Sequence, residues 1–144
     1  MGASAPQIRA PQYVQEYSTY SVAFANLAPG TTQNGAIQIQ ADSAFRWYSA
    51  TLYATIANAA FTRQTQPVPS VSVQIVDTGS GRQLFSQAVP VPTVFGYGDL
   101  PFILPVPREF KERSSVSFTV ANFDAAATYQ LTLNLIGAKL FLRQ

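Results

Sequence analysis

Hydrophobic and polar residues alternate one for one along most of this chain, the period of a strand with one buried face. Ile37 and Ile39 alternate with Gln38 and Gln40, and Val71, Val73 and Ile75 with Ser72 and Gln74. Val116, Phe118 and Val120 flank Ser117 and Thr119, and Tyr129, Leu131, Leu133 and Leu135 interleave with Gln130, Thr132 and Asn134. Two longer stretches change phase. In residues 45–57, Phe45 and Trp47 are odd, whereas Leu52, Ala54 and Ile56 are even. In residues 129–143 the odd series stops at Leu135, and Leu140 and Leu142 resume on even numbers beyond Gly137. Glycine at such a flip favours a bulge or sharp bend, so both strands are expected to bend across a curved sheet.

Turn residues punctuate these segments. Pro29-Gly30 and Asn34-Gly35 bracket an expected turn before the Ile37 strand, and Asp77-Thr78-Gly79-Ser80-Gly81 ends the Val71 strand. Between residues 89 and 107, Pro90, Pro92, Pro101, Pro105 and Pro107 exclude a central strand or a helix, leaving an extended loop with edge pairing at most. Pro107 could open one helical turn through Arg113, with Glu109 and Arg113 paired four apart. Residues 1–19 read as an N-terminal arm, and residues 20–144 as one domain. Seven or eight short strands without an amphipathic helix predict an all-β fold, an antiparallel β-sandwich of jelly-roll type.

Composition narrows the chemistry. The chain has 144 residues, enough for one domain, and only 11% are charged, against about 25% in an ordinary soluble domain. His and Cys are both absent, which excludes a Ser-His dyad, a thiolate nucleophile, a zinc finger and a disulfide framework. Net charge is +2, and the one dense cluster, residues 108–113, mixes both signs, so no nucleic-acid partner is expected. No run approaches the roughly 18 apolar residues of a membrane span. The opening MGASAPQIRAPQ lacks a signal-peptide core, so a soluble protein without a membrane partner is expected. Asp42, Asp77, Asp99 and Asp124 lie far apart outside any calcium-loop pattern, and Gly96-Tyr97-Gly98 lacks the features of a phosphate loop. Neither metal nor cofactor is expected.

Two enzymatic or ligand-binding alternatives remain. Ile75-Val76-Asp77-Thr78-Gly79-Ser80 looks like the catalytic turn of aspartic proteases, where two carboxylates share a proton. A single copy would need a homodimer to supply the second Asp77. A hairpin turn needs the same residue types, and that plainer reading is preferred. Trp47, Tyr48 or Tyr97 could instead form a sugar-stacking platform in a glycan-binding module, although Phe45 and Trp47 at alternate positions fit a core better.

The faces predicted to point outward carry Gln38, Gln40, Ser72, Gln74, Ser117, Thr119, Gln130, Thr132 and Asn134, all uncharged. Free monomers usually protect such faces with Lys and Glu, whereas interface cores are depleted of charge. This composition suits a protein that buries much of its surface against other subunits.

One stretch carries a resemblance. Asp77 through Phe85, Val89-Pro90-Val91-Pro92, Phe95-Gly96, Leu100 through Phe110, and Tyr129-Gln130-Leu131 through Gly137-Ala138-Lys139 resemble small virion structural proteins of tailed bacteriophages. The similarity covers roughly residues 37–141. It implies a non-enzymatic β-sandwich that decorates or cements the capsid, made in the host cytoplasm and located on the virion. Its implied partners are the major capsid protein, neighbouring virion subunits and its own copies, with a trimer as the form suited to icosahedral lattices. No catalytic residues carry over. Contacts are expected from the arm, through Tyr13 and Tyr17, and from the proline-rich loop, through Val91, Val94, Phe95, Tyr97 and Phe102. Arg108, Lys111 and Arg113 would add polar contacts at the rim.

Overall fold

The computed structural model describes residues 13–57, 68–98 and 100–142. They form nine strands: β1 (Tyr13–Leu27), β2 (Thr32–Gln38), β3 (Ala44–Ile56), β4 (Val71–Asp77), β5 (Arg82–Gln83), β6 (Val89–Pro90), β7 (Phe102–Phe110), β8 (Ser115–Asn122) and β9 (Tyr129–Leu142). A single helical turn, α1 (Val91–Val94), follows β6. One sheet runs β1-β9-β3-β7; the other runs β2-β8-β4-β5, with β6 also on β4. Every strand pair within these sheets is antiparallel. β1 pairs with β9, β2 with β8, β3 with β7, and β4 with β5 and β6. That nesting is one long hairpin wound into two facing sheets, the jelly-roll sandwich that the alternation predicts.

The alternation also places the core. Val71, Val73 and Ile75 of β4, Val116, Phe118 and Val120 of β8, and Leu133 and Leu135 of β9 are fully buried. They meet Phe24 and Leu27 of β1 and Phe45 and Leu52 of β3 between the sheets. The two phase changes coincide in space. β3 carries an irregularity between Trp47 and Ser49, while β9 runs on without a break from Gly137 to Ile136 opposite it. Tyr48 is therefore the extra residue of a bulge, which shifts the inward set of β3 from odd to even.

Four local expectations are corrected. Residues 13–19, assigned to the arm, are the first half of β1, paired from Tyr13↔Leu142 to Thr19↔Ile136. Their own sequence does not alternate; the partner strand supplies the ladder. The rest of the arm, with Ile8, lies outside the described residues. Asn34-Gly35 is no turn but the middle of β2, with Gly35 opposite Phe118. A Cβ there would come within 2.8 Å of Val22 Cγ2, so glycine serves the packing of β1 on β2. The 89–107 stretch does form a helical turn, α1, because Pro92 falls at its start, where no amide donor is needed. Finally, Pro107 opens no helix. β7 continues to Phe110, and Glu109 pairs with Arg46 at 3.3 Å across the β3–β7 ladder instead of with Arg113.

The β8–β9 connection is locked by polar side chains. Asp124 Oδ1 accepts the Ala126 and Ala127 amides at 2.8 and 2.9 Å, and Oδ2 accepts the Tyr129 hydroxyl at 3.1 Å. The Ala126 and Ala127 amides, followed by the Tyr129 hydroxyl, hold this carboxyl below its ordinary 3.8. A depressed carboxyl contributes stability that is present above its unfolded value and lost as pH falls through the lower folded one. Chemical denaturation of Asp124→Asn at a series of pH values should therefore show a flatter loss of stability below that value than the wild type.

Candidate functional site

The end of the sandwich at β7 is shaped by its prolines. Trp47 of β3 pairs with Arg108, and the next pairing, Ser49 with Ile103, skips residues 104–107. Pro105 and Pro107 have no amide to donate, so this part of an edge strand can bow away from β3. Beneath the bow lies a cavity of about 440 Å³ lined mainly by Trp47, Phe85, Val94, Phe102, Leu104 and Pro105. Val106, at the crest, is 77% exposed.

Trp47 forms the floor rather than a platform. It is 3% exposed, stacks on Phe110 at 6.2 Å between ring centroids, and donates its indole N–H to the Ser49 carbonyl at 2.7 Å. With so little of its ring open, Trp47 lines the cavity from below and does not stand out as an exposed platform. Tyr48 and Tyr97 are half-buried, and burial raises the Tyr97 hydroxyl above its ordinary value.

Beside the cavity, Asp77 ends β4. It is 6% exposed; its Oδ1 accepts the Gly79 amide at 3.0 Å, and its Oδ2 lies 3.7 Å from an Arg108 terminal nitrogen. Thr78 fastens the turn to β8, its amide and hydroxyl both donating to the Ser115 carbonyl at 3.0 and 2.6 Å. The carboxylate of the Asp-Thr-Gly motif is thus committed to a turn and an ion pair. Arg108 also lies over the Phe110 ring, 5.9 Å from its centroid, and its buried Nε has no hydrogen-bond partner among the described residues. Because the Arg108 side chain is one-third exposed, solvent screens the pair. Asp77→Ala should cost about 1–2 kcal/mol, chiefly through the lost turn hydrogen bond, as read from urea unfolding.

The residues expected at an interface separate into three groups. Val91 at 0% and Phe95 at 1% exposure are core residues, a correction with a simple cause. The α1 turn folds this part of the loop under the sandwich, where both side chains pack with Trp47 and its neighbours. Val94, Tyr97 and Phe102 are half-buried at the cavity end, while Lys111 and Arg113 are exposed in the turn after β7. Tyr17 is 79% exposed on β1, and the Tyr13 backbone pairs with Leu142.

The outer faces hold what single-residue motifs do not. On β2-β8-β4 the register sets Thr32 beside Ala121 and Ser72, Asn34 beside Thr119 and Gln74, and Ala36 beside Ser117 and Val76. No position in these three rows is charged. Side chains bond sideways between strands: Thr119 to Asn34 at 2.9 Å and Ser115 to Gln38 at 2.8 Å. The opposite sheet repeats the device, with Ser21 donating to Asn134 at 2.6 Å and Asn134 to Thr51 at 3.2 Å. Tyr53 and Ile103 stand out from that face at 61% and 66% exposure. The β2-β8-β4 face can bury against protein without stripping water from a charge, whereas the opposite face carries the exposed Arg46–Glu109 pair at one end.

No protein-family model matches the chain, and no curated protein matches it.

Proposed function

We propose that this chain is a non-enzymatic structural protein of a tailed-bacteriophage virion, a jelly-roll subunit that decorates or cements the capsid through protein–protein contacts. The observation that carries this reading is the outer face of β2-β8-β4, whose three central rows hold no charge and whose amides and hydroxyls bridge neighbouring strands. Two further points support it. The segment from Asp77 to Phe110 resembles small virion proteins, and jelly rolls are a recurrent architecture of viral capsids, an analogy of fold alone. The proposed partners are the major capsid protein, adjacent virion subunits and other copies of this chain. The contacts assigned to it are the exposed Val106 crest and Ile103 at the β7 end, Tyr17 on β1, and Lys111 and Arg113 at the rim.

The test is a quantitative mass-spectrometric inventory of purified virions encoding this chain. Hundreds of copies per particle are expected for a head protein. A dozen or fewer would move it to the neck or tail, and its absence from the particle would overturn the reading.

A further inference from the structure

Each sheet of a sandwich ends in two strands whose outer backbone groups lack a partner, an invitation to pair with another chain. Here three of the four edges are blunted. Pro105 and Pro107 interrupt β7, and Arg108 and Glu109 charge its end. β5 and β6 are two residues each, with Arg82 in one and Pro90 in the other. β2 is only seven residues long, and its Gln33 side chain reaches over to the Ala25 carbonyl of β1 at 2.9 Å.

β1 has the least of this protection. It runs fifteen residues without proline and with Glu16 as its sole charge. Among the described residues it is paired along one side only, with β9. The contact from Gln33 engages its second half, so the open part is Tyr13–Ser21, where Val14 is 43% and Tyr17 79% exposed.

We propose that this edge pairs with itself: two copies join β1 to β1 antiparallel about a two-fold axis at Ser18, merging two four-stranded sheets into one. The sequence is self-complementary in that register. Tyr17 lies opposite Thr19, Glu16 opposite Tyr20, Gln15 opposite Ser21 and Val14 opposite Val22, so no like charges meet. The two-fold occupies the open edge of both copies, so assembly closes at two and does not grow into a fibre. This pairing differs from the trimer implied by the phage resemblance. It rests on the edge alone, so it stands or falls separately from the virion reading.

The chain has no cysteine, so one introduced thiol reports contact directly, a disulfide requiring Cα atoms about 4.4–6.8 Å apart. Under mild oxidation, full-length Ser18→Cys should give a covalent dimer, while Ile103→Cys on the exposed β7 edge should not. Light scattering of the wild type should give twice 15.6 kDa. Tyr17→Lys with Thr19→Lys sets lysine against lysine across the axis and should weaken dimerisation about ten-fold or more. If that double variant does not fold, mass and cross-linking decide alone. A wild type that stays at the monomer mass at its highest soluble concentration overturns the proposal. So does a trimer or larger ring, or a dimer in which Tyr17→Cys, Ser18→Cys and Thr19→Cys all fail to link.

Discussion

Gly137→Ala should destabilise the fold by about 3 kcal/mol or more, lowering Tm by about 10 °C, or prevent folding altogether. A Cβ at this position would lie 2.0 Å from the Arg46 carbonyl oxygen and 3.0 Å from the Phe45 ring. Neither obstacle is a flexible chain end that can swing aside. The Arg46 carbonyl is driven toward β9 by the bulge at Tyr48, where one strand carries a residue more than its neighbour. Relieving the clash means undoing the bulge, and that would turn Phe45 and Trp47 out of the core. Gly98→Ala is the control: nothing among the described residues lies within 4 Å of a Cβ built there, and its Tm should stay within about 2 °C of the wild type. Thermal unfolding followed by circular dichroism distinguishes the two.

The second large effect is expected at Asn122, which is 2% exposed at the end of β8. Its Nδ2 donates to the Leu27 and Ala127 carbonyls at 2.9 and 2.8 Å, and its Oδ1 accepts the Asp124 amide at 2.8 Å. One amide thereby ties the end of β1 to the β8–β9 connection. Asn122→Asp keeps the shape but replaces the double donor with a carboxylate facing two carbonyl oxygens. The substitution should cost about 3–5 kcal/mol at neutral pH, since two buried acceptors lose their donor and a charge is enclosed. Burial and the facing carbonyls raise the new carboxyl above an ordinary aspartate. Its protonated form, able to donate once, therefore restores stability as pH falls through the raised value. The deficit relative to wild type should shrink between about pH 7 and about pH 5 in urea titrations, and a constant deficit would contradict this account.

Much of the fold is legible in the alternation because each buried face repeats every second residue. Val71, Val73 and Ile75, and Val116, Phe118 and Val120, occupy the core as their spacing requires. The phase flips at Trp47 and Gly137 are readable for the same reason. What stays hidden depends on partners distant in sequence. Residues 13–19 show no clear alternation and are strand because β9 lies beside them. Gly35 reads as a turn until Val22 and Phe24 are seen packed against its Cα. At the candidate surface, the neutral outer face of β2-β8-β4 follows from the period, and the bow over 104–107 from its prolines. The pairing of Trp47 with Arg108, and of Asp77 with that arginine, joins residues from separate strands and leaves no local mark. Val91 and Phe95 read as loop residues for the same reason, since nothing nearby announces that the α1 turn tucks them beneath Trp47.

The nested order of the strands also dictates the timing of folding. β9 lies between β1 and β3, yet it is made long after both. A growing polypeptide on the ribosome therefore carries two strands of one sheet with the slot between them empty until residues 129–142 emerge. Bringing Tyr13 to Leu142 closes a loop spanning nearly the whole described chain, a step of high contact order associated with folding in milliseconds to seconds. During that wait, the apolar inward residues of β1 and β3 are exposed to every other nascent copy nearby, and chaperone protection is most valuable before β9 arrives.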